Sequence, residues 1–160
     1  MKHDFSKPGF VILFAVLISV IVLLIGFGMY NIAVKESYLS SVAEEAQLSF
    51  VAADGGSECV LLALSSALTQ GVPAPTVPIS CNGGQYAFSP TGNPDSYDVE
   101  IPLPGNLCAK VTYSETGLSR TVYSQGYNRC TATGEAAAGN PRLVERVLEL
   151  TYSVPAPEPE

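Results

Sequence analysis

Three acidic side chains crowd one segment in the second half of the chain, directly after a turn. Asp95, Asp98 and Glu100 come directly after residues 92–94, which read Gly-Asn-Pro. Carboxylates at such spacing are compatible with a calcium loop or with a pair of acid–base groups. A solvated turn followed by the start of a strand accounts for the same residues, and we favour that interpretation.

Other residue types that catalysis or cofactor binding requires are scarce. The single histidine, His3, precedes a long apolar run, so no histidine follows that run for acid–base catalysis, metal binding or a Ser-His-Asp triad. The phosphate-binding pattern Gly-x-x-x-x-Gly-Lys does not occur in the sequence. We therefore predict that the protein is not an enzyme and carries no cofactor.

The four cysteines, Cys59, Cys81, Cys108 and Cys130, all follow the apolar run. A zinc site needs close pairs such as Cys-x-x-Cys, and the closest spacing here is 22 residues. An even number of cysteines indicates two disulfide bonds formed in an oxidising compartment. We favour Cys59–Cys81 and Cys108–Cys130, because each pair closes a short loop that typically stabilises a domain by about 2–4 kcal/mol. The crossed pairings stay open.

The apolar run at 10–29 is the first element that must position these residues. It lies within an uncharged window, 8–34, and Ser19 is its only clearly polar side chain before Tyr30. About 20 apolar residues are needed to cross a bilayer, whereas a surface helix of a soluble domain would show a polar face. We predict a membrane-inserted helix. Lysines at positions 2 and 7 favour a cytoplasmic N-terminus, which leaves the rest of the chain outside the cytoplasm.

Beyond the apolar run the periodicity indicates that the helix continues and becomes amphipathic. Its predicted packing face comprises Leu39, Val42, Ala43, Ala46, Phe50 and Ala53, and Ser49 falls elsewhere around the helix. Gly55-Gly56 predicts a weak point near the end of this helix. Short strands then follow, separated by Gly, Pro and Asn. The predicted strands are 86–89, 97–101, 109–114, 119–124 and 143–154, with turns at 81–84 and 115–117.

The N-terminal residues show which kind of membrane helix this is. Residues 1–9 form a polar leader with two lysines, and Gly9 stands directly before Phe10. A secretory signal has its small-residue cleavage site after the apolar region, but 30–35 contain no such site. The order found here resembles that of a type IV prepilin. The resemblance implies that a prepilin peptidase cuts between Gly9 and Phe10 and that Phe10 is then N-methylated.

Further segments resemble a group of bacterial pilin-like proteins. They read Ala-Ala-Asp-Gly-Gly-Ser-Glu-Cys at 52–59 and Tyr-Ser-Gln-Gly-Tyr-Asn at 123–128, and the closing strand at 142–152 is also similar. The resemblance implies an α+β, pilin-like fold, in which a long N-terminal helix packs on a small antiparallel β-sheet head. Filament-forming pilins usually carry a glutamate where this chain has Phe14. That departure favours a minor pilin or a pseudopilin.

The implied function is that of a structural subunit of a type IV pilus or a related filament, with the head exposed for surface or adhesion roles. Its partners would be other pilin subunits, the prepilin peptidase, the assembly machinery and the membrane. The net charge of −7 and the absence of a basic run argue against nucleic-acid binding. Two alternatives stay open: a non-polymerising single-pass membrane-anchored extracytoplasmic binding domain, and a type II secretion pseudopilin.

The predicted organisation has five parts, which differ in composition. They are the leader at 1–9, the transmembrane or filament-core helix at 10–29, the amphipathic helix at 30–68, the disulfide-braced β-rich head at 69–154 and a disordered Pro/Glu tail at 155–160.

Overall fold

The computed structural model describes residues 8–131 and 134–154. Its first element is a helix of 63 residues, α1 (Pro8–Gln70). Side chains are described from residue 11 onward, so the predicted leader and tail lie outside the described residues except for the backbone of residues 8 and 9. Pro8 stands at the first helical position, where a missing N–H costs nothing.

Gly71 ends α1 by adopting a positive φ of 66°. The Gly71 N–H donates to Leu68 O at 3.3 Å and the Val72 N–H donates to Ala67 O at 3.1 Å, which are the two bonds of a Schellman motif. Pro73 and a short 3-10 helix (Ala74–Thr76) follow. The contacts within the chain divide it into two units, with the boundary between Val42 and Ala43 inside α1.

A small hairpin follows the helix. It pairs β1 (Ile79–Cys81) with β2 (Gly84–Tyr86) in antiparallel register. Asn82 and Gly83 connect the strands with φ values of 49° and 76°, a pair of positive values that suits a two-residue hairpin loop. The turn predicted at 81–84 is therefore confirmed, although the prediction contained no strand before it.

The main sheet has five antiparallel strands in sequence order. They are β3 (Ser89–Pro90), β4 (Ser96–Leu103), β5 (Leu107–Thr116), β6 (Ser119–Tyr127) and β7 (Glu145–Ser153). Gly117 and Leu118 form the loop between β5 and β6, because Thr116 pairs with Ser119. The predicted strand at 86–89 is wrong: β2 ends at Tyr86, and β3 begins only at Ser89.

The core lies between the C-terminal part of α1 and one face of this sheet. Val60 and Leu64 of the helix pack with Val111, Tyr113 and Val122, all at 0% or 1% exposure. Lys110 and Thr112 alternate with Val111 and Tyr113 and are only partly buried, so the other face of the sheet is wet, as the alternation predicted. The α+β fold class, with a long N-terminal helix packed on antiparallel sheets, is thus confirmed.

The predicted packing face of α1 is wrong at most of its positions. Leu39, Val42, Ala43 and Phe50 are exposed, and of the six predicted residues only Ala53 is buried. Ser49, which was placed off this face, is 0% exposed, whereas Phe50 is 48% exposed. The periodicity ranked positions by hydrophobicity, but the sheet approaches the helix so closely that small side chains occupy the contact. The predicted weak point is also absent, since α1 continues without interruption through Gly55 and Gly56.

Candidate functional site: an apolar helix and a helix–sheet contact

The N-terminal part of α1 presents apolar side chains in every direction. From Val11 to Val34 its large hydrophobic residues are 46–71% exposed. The mean hydropathy of its most apolar 18-residue window is 3.1, and no part of that window is buried. By length and composition this helix could cross a membrane. Contiguous exposed apolar surface of this extent requires lipid or another protein as its environment.

Two polar side chains in this part of the helix bond to the helix itself. The Ser19 hydroxyl donates to Ala15 O at 2.8 Å, and the Asn31 amide donates to Phe27 O at 3.1 Å. Each bond returns to the carbonyl four residues earlier. These bonds lower the cost of placing the two side chains in an apolar surrounding.

The predicted processing junction lies at the helix start. Gly9 and Phe10 belong to the first turn of α1 by their backbone, and residues 1–7 lie outside the described residues. Phe14, at the position of the usual pilin glutamate, is 54% exposed. Cleavage after Gly9 and methylation of Phe10 remain predictions.

The second candidate element is the contact between α1 and strands β5 and β6. A Cβ on Gly126 would overlap Ser49 O and Ala53 N and would lie 2.8 Å from Ala53 Cα. On the helix side, a Cβ on Gly56 would overlap Ala109 Cβ and lie 3.2 Å from Val111 Cγ2. Helix and strand backbones therefore meet directly, because each supplies a glycine at the crossing.

A buried hydrogen bond joins the same two elements. The Ser124 hydroxyl donates to Ala53 O at 2.7 Å, and Ser124 is 0% exposed. Segments 52–59 and 123–128, which the sequence analysis singled out separately, thus form the two sides of one contact. No spacing signal indicates this pairing in advance, since Ala53 and Ser124 are 71 residues apart.

Asn128 extends this contact to the segment before β7. Its side-chain amide donates to Arg142 O at 2.9 Å, and its carbonyl oxygen accepts from the Val144 N–H at 2.7 Å. Ser49 donates to Val144 O at 2.9 Å, so the helix binds the same segment. Asn128 is only 6% exposed, and burial strengthens the requirement that all its bonds be made.

Two disulfide bonds brace the head. Cys59–Cys81 links α1 to β1, and Cys108–Cys130 links the start of β5 to the segment after β6. These are the two pairings that the sequence analysis favoured. The Cα atoms are 5.6 and 5.9 Å apart, and no cysteine is left unpaired, since all four lie among the described residues.

Of the carboxylates considered at 95–100, Asp98 and Glu100 lie two residues apart on β4. Asp98 accepts from Thr112 and pairs with Lys110, whereas Glu100 is exposed. Within the described residues, no three His, Cys, Asp or Glu side chains are placed to hold a metal ion. Burial raises the pKa of Tyr113, and its hydrogen bond to Glu115 raises that pKa further, so the phenol stays protonated at neutral pH.

Comparisons of the chain with protein-family models, curated proteins and solved structures found no match. The likeness to pilins therefore rests on the residues quoted above and on the α+β arrangement. It supports a proposal about function.

Proposed function

We propose that this chain is a structural subunit of a type IV pilus or a related filament. The observation that carries the proposal is the apolar segment of α1, which exposes hydrophobic side chains all around the helix. Such a segment has two stable environments, a bilayer and a bundle of similar helices. A subunit that moves from the membrane into a filament core uses both.

Three further features support the proposal. The Gly9-Phe10 junction precedes the apolar segment, as in a prepilin. The disulfide-braced head suits an oxidising extracytoplasmic compartment. Lys2 and Lys7 favour a cytoplasmic N-terminus before cleavage. Filament-forming pilins usually carry a glutamate at the position of Phe14, and that buried carboxylate would pair with a neighbouring subunit's N-terminus. Its replacement by Phe14 favours a minor-pilin or pseudopilin role.

The decisive test is the intact mass and N-terminal residue of the protein, purified without reductant from its native cell envelope. We expect a methylated chain that begins at Phe10 and is four hydrogens lighter than its reduced form. Gly9→Val should block cleavage, because the added side chain occupies the junction, and Ser6→Ala in the leader should leave cleavage intact.

A chain that still begins at Met1 would contradict the proposal and leave a membrane-anchored domain. In a second measurement, the same cells are sheared, and the released fraction is examined by electron microscopy for filaments that carry this chain. A cleaved chain that never leaves the envelope would contradict a surface pilus and favour a secretion pseudopilin.

A further inference from the structure

A cavity of about 480 Å³ lies at the β3 edge of the main sheet and is lined by residues of β2, β3, β4 and β5. β3 pairs with β4 at only two positions, Ser89 with Asp98 and Pro90 with Tyr97. Between β2 and β3, residues 87 and 88 have no strand partner, but the Phe88 ring stays against β4, 6.4 Å from the Tyr97 ring. The cavity volume falls in the range of about 300–1,000 Å³ that is typical of small-molecule sites.

One wall of the cavity holds charged side chains in fixed positions. Asp98 Oδ1 accepts from the Thr112 hydroxyl at 2.7 Å, and Asp98 Oδ2 lies 3.5 Å from Lys110 Nζ. Glu100 lies directly opposite Lys110 in the β4–β5 register. Lys110 is 41% exposed and Asp98 is 28% exposed, so both remain accessible to a ligand.

Neutral polar groups and one aromatic ring also line the cavity. Gln85 supplies an amide that both donates and accepts, Ser89 supplies a hydroxyl, and Tyr86 supplies a ring. The Glu100 side chain is exposed. The cavity therefore combines hydrogen-bond donors and acceptors with apolar surface.

This arrangement selects a class of ligand by charge. An anion would be repelled, because Asp98 and Glu100 outnumber Lys110. A cation would gain little, because Lys110 already pairs with Asp98 and Glu100 is an exposed carboxylate. A neutral polyhydroxyl molecule uses all of these groups, because each hydroxyl can donate to a carboxylate and accept from an ammonium or amide. Its C–H face can pack on the negative face of an aromatic ring such as that of Tyr86.

We propose that this cavity binds a neutral saccharide unit. The inference goes beyond the filament role, because it concerns the head alone and holds whether or not the chain polymerises. Saccharide binding would give the exposed head a recognition function at a cell surface or a polysaccharide matrix.

The test is a titration followed by backbone amide shifts of the full chain, with disulfides intact, in a detergent whose head group is not a sugar. The probes are the methyl glycosides of glucose, galactose, mannose and N-acetylglucosamine. We expect saturable shifts at 85–89 and 98–100 from at least one of them, with a millimolar Kd. The methyl glycoside of glucuronic acid, inorganic phosphate and Ca²⁺ serve as charged controls and should bind at least tenfold more weakly.

Variants locate the site. Lys110→Met and Glu100→Ala should each weaken saccharide binding about tenfold, since each removes a charged hydrogen-bonding group. Glu149→Gln, on β7 outside the cavity, should bind as the parent does, and the dispersion of the amide spectrum shows that each variant is folded. Absence of saturable shifts from all four neutral probes would overturn the proposal, as would tighter binding of a charged control. Equal affinity in the parent and both cavity variants would also overturn it.

Discussion

Two adjacent glycines of α1 allow the effect of the helix–sheet contact on stability to be separated from the effect of helix propensity. Gly55→Ala and Gly56→Ala both replace a glycine inside the same helix, so both gain about 1 kcal/mol of helix propensity. The two variants differ only in the atoms that the added Cβ contacts. At position 55 it lies 3.8 Å from the nearest Leu103 methyl, an ordinary contact, and at position 56 it overlaps Ala109 Cβ.

The overlap at position 56 cannot be relieved by rotating a side chain. Ala109 Cβ is attached directly to the backbone of β5, a central strand, so the helix itself must move away. Overpacking of this kind costs about 1–3 kcal/mol. We expect Gly55→Ala to raise the free energy of unfolding by up to about 1 kcal/mol. The free energy of unfolding of Gly56→Ala should be about 1–3 kcal/mol lower than that of Gly55→Ala. Both variants gain the same helix propensity, so that gain cancels in the comparison.

The assay is urea unfolding of the full chain in detergent, with both disulfides intact. The chain has eight tyrosines and no tryptophan, and Tyr113 is 0% exposed, so tyrosine fluorescence reports on the core of the head. Equal denaturant slopes for the two variants show that the comparison is one of stability. Midpoints that shift in the same direction and by the same amount would refute the proposed contact at Gly56.

Two further predictions concern the core. Because burial and Glu115 raise the pKa of Tyr113 above 10.0, its contribution to stability is complete below pH 10 and is lost at up to about 1.4 kcal/mol per pH unit above it. Tyr113→Phe should flatten this alkaline loss in urea midpoints measured at about pH 9 and about pH 11, and an unchanged loss would contradict the assignment. Replacing Cys59 and Cys81 together by alanine should lower the free energy of unfolding by about 2–4 kcal/mol. Urea midpoints test this, with a thiol assay as the control that Cys108–Cys130 is still closed, and an unchanged midpoint would argue against bracing by the first bond.

Much of the head could be predicted because its signals are local. Alternation at Val111 and Tyr113 placed β5, and the glycine after Asn82 placed the first hairpin loop. Strand ends and the short strands β1 and β3 were missed, because their pairing depends on neighbours that the local pattern does not contain. The cavity was missed for the same reason, since its lining residues come from four strands that only the fold brings together.

The sequence by itself determined the apolar helix and the succession of short strands after it, and it favoured the disulfide partners that close short loops without excluding the crossed pairings. These follow from composition and from spacing along the chain, which set hydrophobicity and loop-closure cost locally. Only the tertiary structure decided which side of α1 packs. Gly56 and Gly126, 70 positions apart, let helix and strand backbones touch, so Ser49 is buried and Phe50 is exposed. Hydrophobic periodicity ranks the sides of a helix by transfer free energy, but a close backbone crossing selects side chains by size.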